Sequence, residues 1–416
     1  MEEKWRFDMR EKLFTRNFTL LILGQVCSLL GNGALRFALS MYVLEETGSA
    51  AVFGGLLAAA MIPTILLTPF GGILADRANR RNVMVGLDLC SGTAVLLAAL
   101  AFSGDRGMAV TAALLIVLSI LGAFESPTVQ ACVPQMQSGE NILRGNAAVN
   151  QVNALAGLMT PFLGSLLYTA FGVRPVLAGA GLCFLLTAGL ECFIRLPRVL
   201  PAEKQSVGTI LREDLLGSFR FLVRERREVL DLLLFAALVG CLVSGVAIVG
   251  LPYLVRQELG LSAAFYGGAE SAAGLAALLG GLAAGVLAGR LPFRRLHRLA
   301  VLLGVCVLLA GGAMLLPLGP VLRFAPLVLA FCGGQACACC FSIFAVSAIQ
   351  ERTPEHMTGK VMACVSAVSM CAQPVGQAAF GLLFDAAAGQ AWLVLLPAGV
   401  LICALGIGSR RLFERW

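Results

Sequence analysis

Twelve apolar runs, each about twenty residues long, leave this 416-residue chain few folds to choose from. They fall at 18–43, 50–75, 82–103, 109–132, 146–169, 174–194, 229–254, 263–289, 299–317, 323–349, 360–385 and 390–409. As a helix, a run of that length matches the hydrocarbon thickness of a bilayer, and a helix satisfies its own backbone polar groups where no water can. Membrane strands would instead read as alternating segments of about ten residues, and no such pattern competes. The expected fold class is therefore an all-α polytopic membrane protein with twelve transmembrane helices. Charged residues make up only 13% of the chain, against roughly 25% in a soluble domain. The mean hydropathy is +0.87, and 47 glycines suit helices that approach one another closely. The amino-terminal segment is charged, mixed in sign and without a cleavage-site pattern, so no removable signal peptide is expected.

Positive charge sets the orientation. With both termini cytoplasmic, the inner segments hold all 31 Lys and Arg residues except Arg36, Arg106, Arg174, Arg256 and Arg323. The positive-inside rule then fixes the topology, and the formal net charge of +7 is an insertion signal rather than a sign of nucleic-acid binding. The expected location is the cell membrane, plasma or inner, with the chain acting as a monomer in the lipid bilayer.

The most polar interval separates six spans from six. It predicts an amino-terminal six-helix bundle over 1–194, a cytoplasmic linker over 195–228 and a carboxyl-terminal bundle over 229–416. In the linker, Leu211, Leu215, Phe219 and Leu222 recur at helical spacing opposite Arg212, Glu213, Arg220 and Arg227, which predicts a cationic amphipathic helix on the membrane surface. The two halves echo each other. After spans 4 and 10 each half has a proline, a polar turn and a small-residue helix carrying a second proline, Pro161 or Pro374. Two related bundles with a site between them are a physical basis for alternating access.

Charge is densest in GILADRANRR, Gly72 to Arg81, between spans 2 and 3. Gly72, Asp76, Arg77, Arg80 and Arg81 predict a helix end that meets another helix closely and is held by charge at the membrane face. This spacing resembles the 2–3 loop signature of the major facilitator superfamily, with Asn79 in place of a second glycine. LGQVCSLLGNGALRFALSMYVLEETGSA, FESPTVQACVPQM, DLLGSFRFL and IQERTPEHMTGKVM are similar to the macrolide-efflux-like branch of its drug:proton antiporters. The resemblance runs along nearly the whole chain. It implies two six-helix bundles, an exporter and a conformational switch in the 2–3 loop, and it does not supply a substrate. The 8–9 hairpin is a loose second copy in which Gly289 stands where the acid would be, so the latch is expected to be asymmetric. The chain departs from the family pattern in two places. Span 4 lacks an arginine, and span 5 reduces the antiporter glycine-proline motif to Thr160-Pro161-Phe162-Leu163-Gly164-Ser165. Pro161, Gly164 and Pro374 are expected to serve helix packing.

Gln25, Asn32 and Arg36 lie within roughly 40° of arc on span 1, a polar stripe for a cavity or another helix. The alternative is a snorkelling arginine above two interhelical hydrogen bonders. The intramembrane acids Asp88, Glu125 and Glu270 are candidates for carrying a proton or relaying charge. Asp88 is also close enough to the 2–3 hairpin to pair with it. By family analogy Glu125 bonds Arg80 and completes a relay with Asp76, or else it is a cavity acid. Glu270 can pair with Arg36 if the bundle brings them together. Gln335 is a candidate cavity hydrogen bonder.

The fourteen cysteines lie almost entirely in apolar runs, away from His297 and His356, so small apolar packing is expected rather than a metal site or disulfides. HExxH, GxSxG and GxxxxGK[ST] are missing, which argues against an enzyme and against ATP. A secondary active transporter is expected, without cofactor and driven by a proton gradient, that exports an apolar or amphiphilic small molecule. A lipid or siderophore exporter of the same fold, or a transport-inactive sensor or scaffold, are the alternatives.

Overall fold

The computed structural model describes residues 13–196 and 222–414, apart from 139, 225 and 289. Among these residues twelve helices are long and apolar enough to cross a membrane. In chain order they are α1 (Arg16–Thr47), α2 (Ala50–Arg77), α3 (Arg80–Ala101), α4 (Gly107–Met136), α5 (Glu140–Phe171) and α6 (Val173–Cys192). There follow α7 (Arg227–Glu258), α8 (Ala263–Leu287), α9 (His297–Leu315), α10 (Pro320–Glu351), α11 (Glu355–Ala386) and α12 (Trp392–Gly408). The twelve expected spans are the twelve observed helices. Several run past the apolar stretch: α1 has 32 residues and carries Glu45 and Glu46 in its last turn. Gly289 and most of the expected linker helix lie outside the described residues.

Helix ends follow local chemistry. Gly48, at φ +63°, takes the left-handed conformation that stops α1, and its N–H bonds the Leu44 carbonyl at 2.9 Å. Asn79 caps α3 by accepting from the Asn82 N–H at 3.4 Å. Prolines persist inside α4, α5, α10, α11 and α12, where neighbouring helices and small residues accommodate the interruption. Helix α7 loosens into π-helical turns at Gly245–Gly250 and Leu254–Glu258.

The chain forms two compact units. The first comprises Met1–Leu35, Leu66–Thr160 and Arg174–Lys204. In it α3 and α6 meet at Gly92 and Gly181; a Cβ on either would stand 3.1–3.3 Å from the other's carbonyl oxygen, tighter than ordinary contact, so glycine favours this close approach. An apolar cluster of Phe18, Leu21, Met84, Val129, Cys132, Val133, Val149 and Ile194 closes the end of this unit near the 2–3 loop.

The second unit comprises Arg36–Ile65, Pro161–Val173 and Gln205–Trp416. The ends of α1, α2 and α5 nearest the 1–2 loop thus pack with α7, α8 and α11. The contacts are specific. Phe37 stacks on Tyr266 with ring centroids 5.2 Å apart, and Gln257 Nε2 donates to the Leu44 carbonyl at 2.6 Å. Glu45 accepts from Tyr168 Oη at 2.6 Å and pairs with Arg256. A second apolar cluster, around Phe341, Val365 and the fully buried Phe413, anchors α7, α10, α11 and the short helix Arg410–Glu414.

Candidate functional site

The 2–3 turn is held by arginine-to-carbonyl bonds. Arg80 donates from Nε to Ala75 O and from Nη1 to Ala131 O, both at 2.7 Å, tying the ends of α2 and α4 together. Arg81 Nη2 bonds the Cys192 carbonyl at the end of α6. Cationic groups on terminal carbonyls are the favourable match to a helix carboxyl end. Arg77 is exposed, and the Asp76 side chain lies outside the described residues. The close approach expected at Gly72 occurs one residue earlier. A Cβ on Gly72 would meet nothing among the described residues within 4 Å, whereas one on Gly71 would overlap the Ala123 carbonyl of α4. That carbonyl lost its helical donor to Pro127 four residues on, and α2 presses its bare glycine onto it.

The acids of this unit converge. Asp88 of α3, Glu125 of α4 and Glu191 of α6 lie within electrostatic reach of one another. Ser28 Oγ of α1 donates to Glu125 Oε1 at 3.4 Å. Asp88 is thus near another acid, Ser28 holds Glu125, and the expected relay of Glu125 with Arg80 and Asp76 involves the Asp76 side chain, which lies outside the described residues. The physical reason is helix register: Asp88, two turns into α3, comes level with the last turn of α6. Glu191 is the residue that sequence reasoning missed. One acid a single residue from a helix end reads as interfacial, yet it is 1% exposed.

In the other unit Glu270, one turn after Tyr266 on α8, lies within electrostatic reach of Tyr266 and of Arg36. The stripe on α1 does not share one environment, since Gln25 is buried, Asn32 half-buried and Arg36 exposed. Pro161 and Ser165 of α5 press on Gly267 of α8, and buried Gly164 lies between them. Beside Pro374 on α11, Gly376 lies against the Cys241 carbonyl of α7.

A cavity of about 380 Å³ opens within this second unit, walled by α7, α10 and α11, with Leu303 of α9. Its polar groups are Gln335, Ser342, Ser369, Gln373 and Ser244, all neutral, and the remaining wall is aliphatic apart from Phe341. Gln335 also borders a smaller apolar pocket with Cys306 and Phe331. The π-helical turn of α7 contributes Ala247 and Ile248 to the larger wall, a local irregularity of the kind that marks functional positions.

The family model described as Major Facilitator Superfamily matches residues 21–376. Among curated relatives, macrolide efflux protein A of Streptococcus pyogenes is 25% identical over 177 residues, 42% of this chain and 44% of that protein; the match thus spans less than half of that relative's length. The multidrug efflux pump Tap of Mycobacterium tuberculosis is 26% identical over 399 residues, 93% of this chain and 91% of the pump. Among solved structures, a bacterial homologue of the iron transporter ferroportin in an inward-facing state aligns with a TM-score of 0.71 at 19% identity, covering 95% of this chain and 98% of that one. The nucleoside transporter NupG aligns with a TM-score of 0.73 at 13% identity, covering 96% and 100%. Likeness at such identities concerns the fold alone.

Proposed function

The chain belongs to the major facilitator superfamily, a multi-pass membrane transporter and not an enzyme, and from that premise we propose that it exports a neutral apolar or amphiphilic small molecule in exchange for protons. The observation that carries the substrate class is the cavity walled by α7, α10 and α11. Its volume of about 380 Å³ suits a small ligand, and its apolar wall with a few neutral hydrogen-bonding groups matches how such sites recognise uncharged molecules. A phosphorylated or multiply charged solute would require fixed counter-charge there, and the wall supplies none. The efflux relatives support the outward direction.

In this reading the termini and the 2–3 loop are cytoplasmic, as the arginine distribution favours, and halves 1–194 and 229–416 move against each other to alternate access, with 195–228 as their tether. The 2–3 loop governs the cycle rather than the choice of substrate. Its arginine bonds to Ala75, Ala131 and Cys192 gather three helix ends into one body that can move as a unit.

The test is transport in proteoliposomes under an imposed pH gradient, with labelled macrolides, hydrophobic cations and lysolipids as separate arms. Gradient-dependent movement of an uncharged amphiphile, lost on blocking the cavity, is the expected result. Movement of permanent cations alone would shift the substrate class, and movement of none of the three would overturn the proposal.

A further inference from the structure

Of the 31 Lys and Arg residues, only Arg106, Arg174, Arg256 and Arg323 lie at the helix ends opposite the 2–3 loop. Arg256 is paired with Glu45. Arg174, the second residue of α6, has no such partner: no described carboxylate pairs with it, Asp105 in the turn after α3 included. Its Nε donates to the Ala99 carbonyl at 3.3 Å. That carbonyl belongs to the last turn of α3, where the helix itself runs out of donors. The bond lays the arginine across from α6 to α3. The N–H groups of its two Nη atoms meet no partner among the described residues.

Beside Arg174 the two helices leave a groove of about 420 Å³, lined by Leu96, Ala99, Leu100, Pro175 and Ala178. Arg174 is the one polar side chain in its wall. The depth of the groove follows from the chain direction, since α3 ends and α6 begins at this face. Leu96 comes one turn before Leu100 and Ala178 one turn after Arg174, so both lie about 6 Å further into the bilayer. The floor is the Leu96 side chain, whose Cγ lies 2.7 Å from the place that a Cβ on Gly181 would take. The hollow exists because Ala99 and Ala178 supply methyl groups where longer side chains would fill it. Leu100, 77% exposed, forms the rim.

A guanidinium keeps its charge at any working pH, and its forked N–H groups match a phosphate better than an ammonium does. A free anion would use this charge and leave the groove empty. A purely apolar chain would fill the groove and leave the charge unmatched. A zwitterionic lipid brings its own ammonium, which competes with the guanidinium for the phosphate. An amphiphile with an anionic head uses both features. We propose that Arg174 and this groove bind one anionic phospholipid from the leaflet opposite the 2–3 loop, with the phosphate on the guanidinium and the upper part of one acyl chain between Leu96, Leu100 and Ala178. The lipid covers the seam between α3 and α6 and joins their ends. The site is independent of the substrate and of what drives its transport.

The test is lipid binding by the delipidated full-length protein in a neutral detergent, read by native mass spectrometry, with phosphatidylglycerol, phosphatidylcholine and inorganic phosphate as separate arms. One phosphatidylglycerol per chain should bind about ten-fold more tightly than phosphatidylcholine, and inorganic phosphate more weakly than either. Arg174→Gln should bring phosphatidylglycerol down to the level of phosphatidylcholine, and Arg174→Lys should keep part of the preference. Ala178→Leu leaves the charge in place, fills the groove and should weaken both lipids alike, so the two halves of the site are tested by separate variants. Arg106→Gln removes a charge at the same face away from the groove and should change nothing. Phosphatidylglycerol should also raise the thermal unfolding midpoint of the wild type and of Arg106→Gln, but not that of Arg174→Gln. Equal binding of the two lipids by the wild type, or a loss in Arg106→Gln as large as in Arg174→Gln, would overturn the site. Inorganic phosphate bound as tightly as phosphatidylglycerol would overturn the lipid as its occupant.

Discussion

Asp385, in the last turn of α11, accepts a hydrogen bond from the backbone N–H of Ala50 at 2.6 Å, so the carboxylate of one span caps the amino terminus of another. It also accepts from the Ala51 N–H at 3.1 Å and from the Ser49 hydroxyl. Three donors at a helix amino end are a strong site for one negative charge, because the first-turn N–H groups have no partner inside the helix. Gly381, one turn earlier on α11, makes the contact possible, since a Cβ there would lie 2.6 Å from the Ala50 carbonyl. Asp385→Ala is expected to cost about 1–2 kcal/mol and to lower the thermal unfolding midpoint of purified protein. Ser49→Ala should cost less, because Asp385 keeps both backbone donors. Equal midpoints for the two variants would remove the cap from the account.

Gly71 and Gly72 are neighbours with opposite expectations. Gly71→Ala drives a methyl into the Ala123 carbonyl, and overpacking of that kind costs about 1–3 kcal/mol. Gly72→Ala adds a methyl where the described residues leave room. Thermal stability of the two variants, measured side by side, should fall for the first and stay near wild type for the second. If Gly72→Ala retains stability and loses transport, the role of Gly72 lies in a step of the cycle rather than in this packing.

How much of this was legible in the chain depends on the scale of the signal. Each span announces itself through some twenty apolar residues, so the twelve helices follow from length and hydropathy and only their polar ends needed coordinates. The Arg36–Glu270 relationship was legible as a possibility because each is a rare charge in an apolar run. Glu191 was not, because its burial depends on α3 and α4 covering the last turn of α6. Gly71 against Gly72 is finer still: one residue is about 100° around a helix, and no pattern in α2 says which side α4 occupies. The cavity is a property of helices far apart in sequence, so Gln335 could be nominated but Gln373 and the π turn could not.

Glu45 is the hub of a small polar cluster with Tyr168 of α5 and Arg256 of α7. Its side chain is 39% exposed and that of Arg256 is 17%, so solvent screens the pair and its coupling should be modest, on the order of 1 kcal/mol or less. A double-mutant cycle with Glu45→Gln and Arg256→Gln, read by thermal unfolding, measures it. Glu45→Gln keeps an acceptor for the Tyr168 hydroxyl and should be milder than Glu45→Ala. The exchanged pair, Glu45→Arg with Arg256→Glu, should recover part of the loss of either single change; additive losses would show that the two charges do not act on each other.

Gln335 and Gln373 approach the cavity from α10 and α11, and they carry the wall's only side-chain amides. If they hydrogen-bond a neutral substrate, removing either amide should weaken binding by about 0.5–1.5 kcal/mol, roughly a two- to ten-fold rise in Kd. Gln→Leu at either position preserves bulk and isolates the hydrogen bond, whereas Ala338→Phe fills the cavity without touching a polar group. The Gln variants should weaken binding of a hydrogen-bonding substrate more than that of a purely apolar probe. Ala338→Phe should weaken both alike, because it removes volume rather than a specific contact. Ligand-induced thermal stabilisation across a panel of macrolides and apolar dyes measures this directly. Equal losses for all three variants with every ligand would mean that the cavity is a packing defect of the bundle, and the substrate surface would then have to be sought on the helices that carry Asn32 and Arg36.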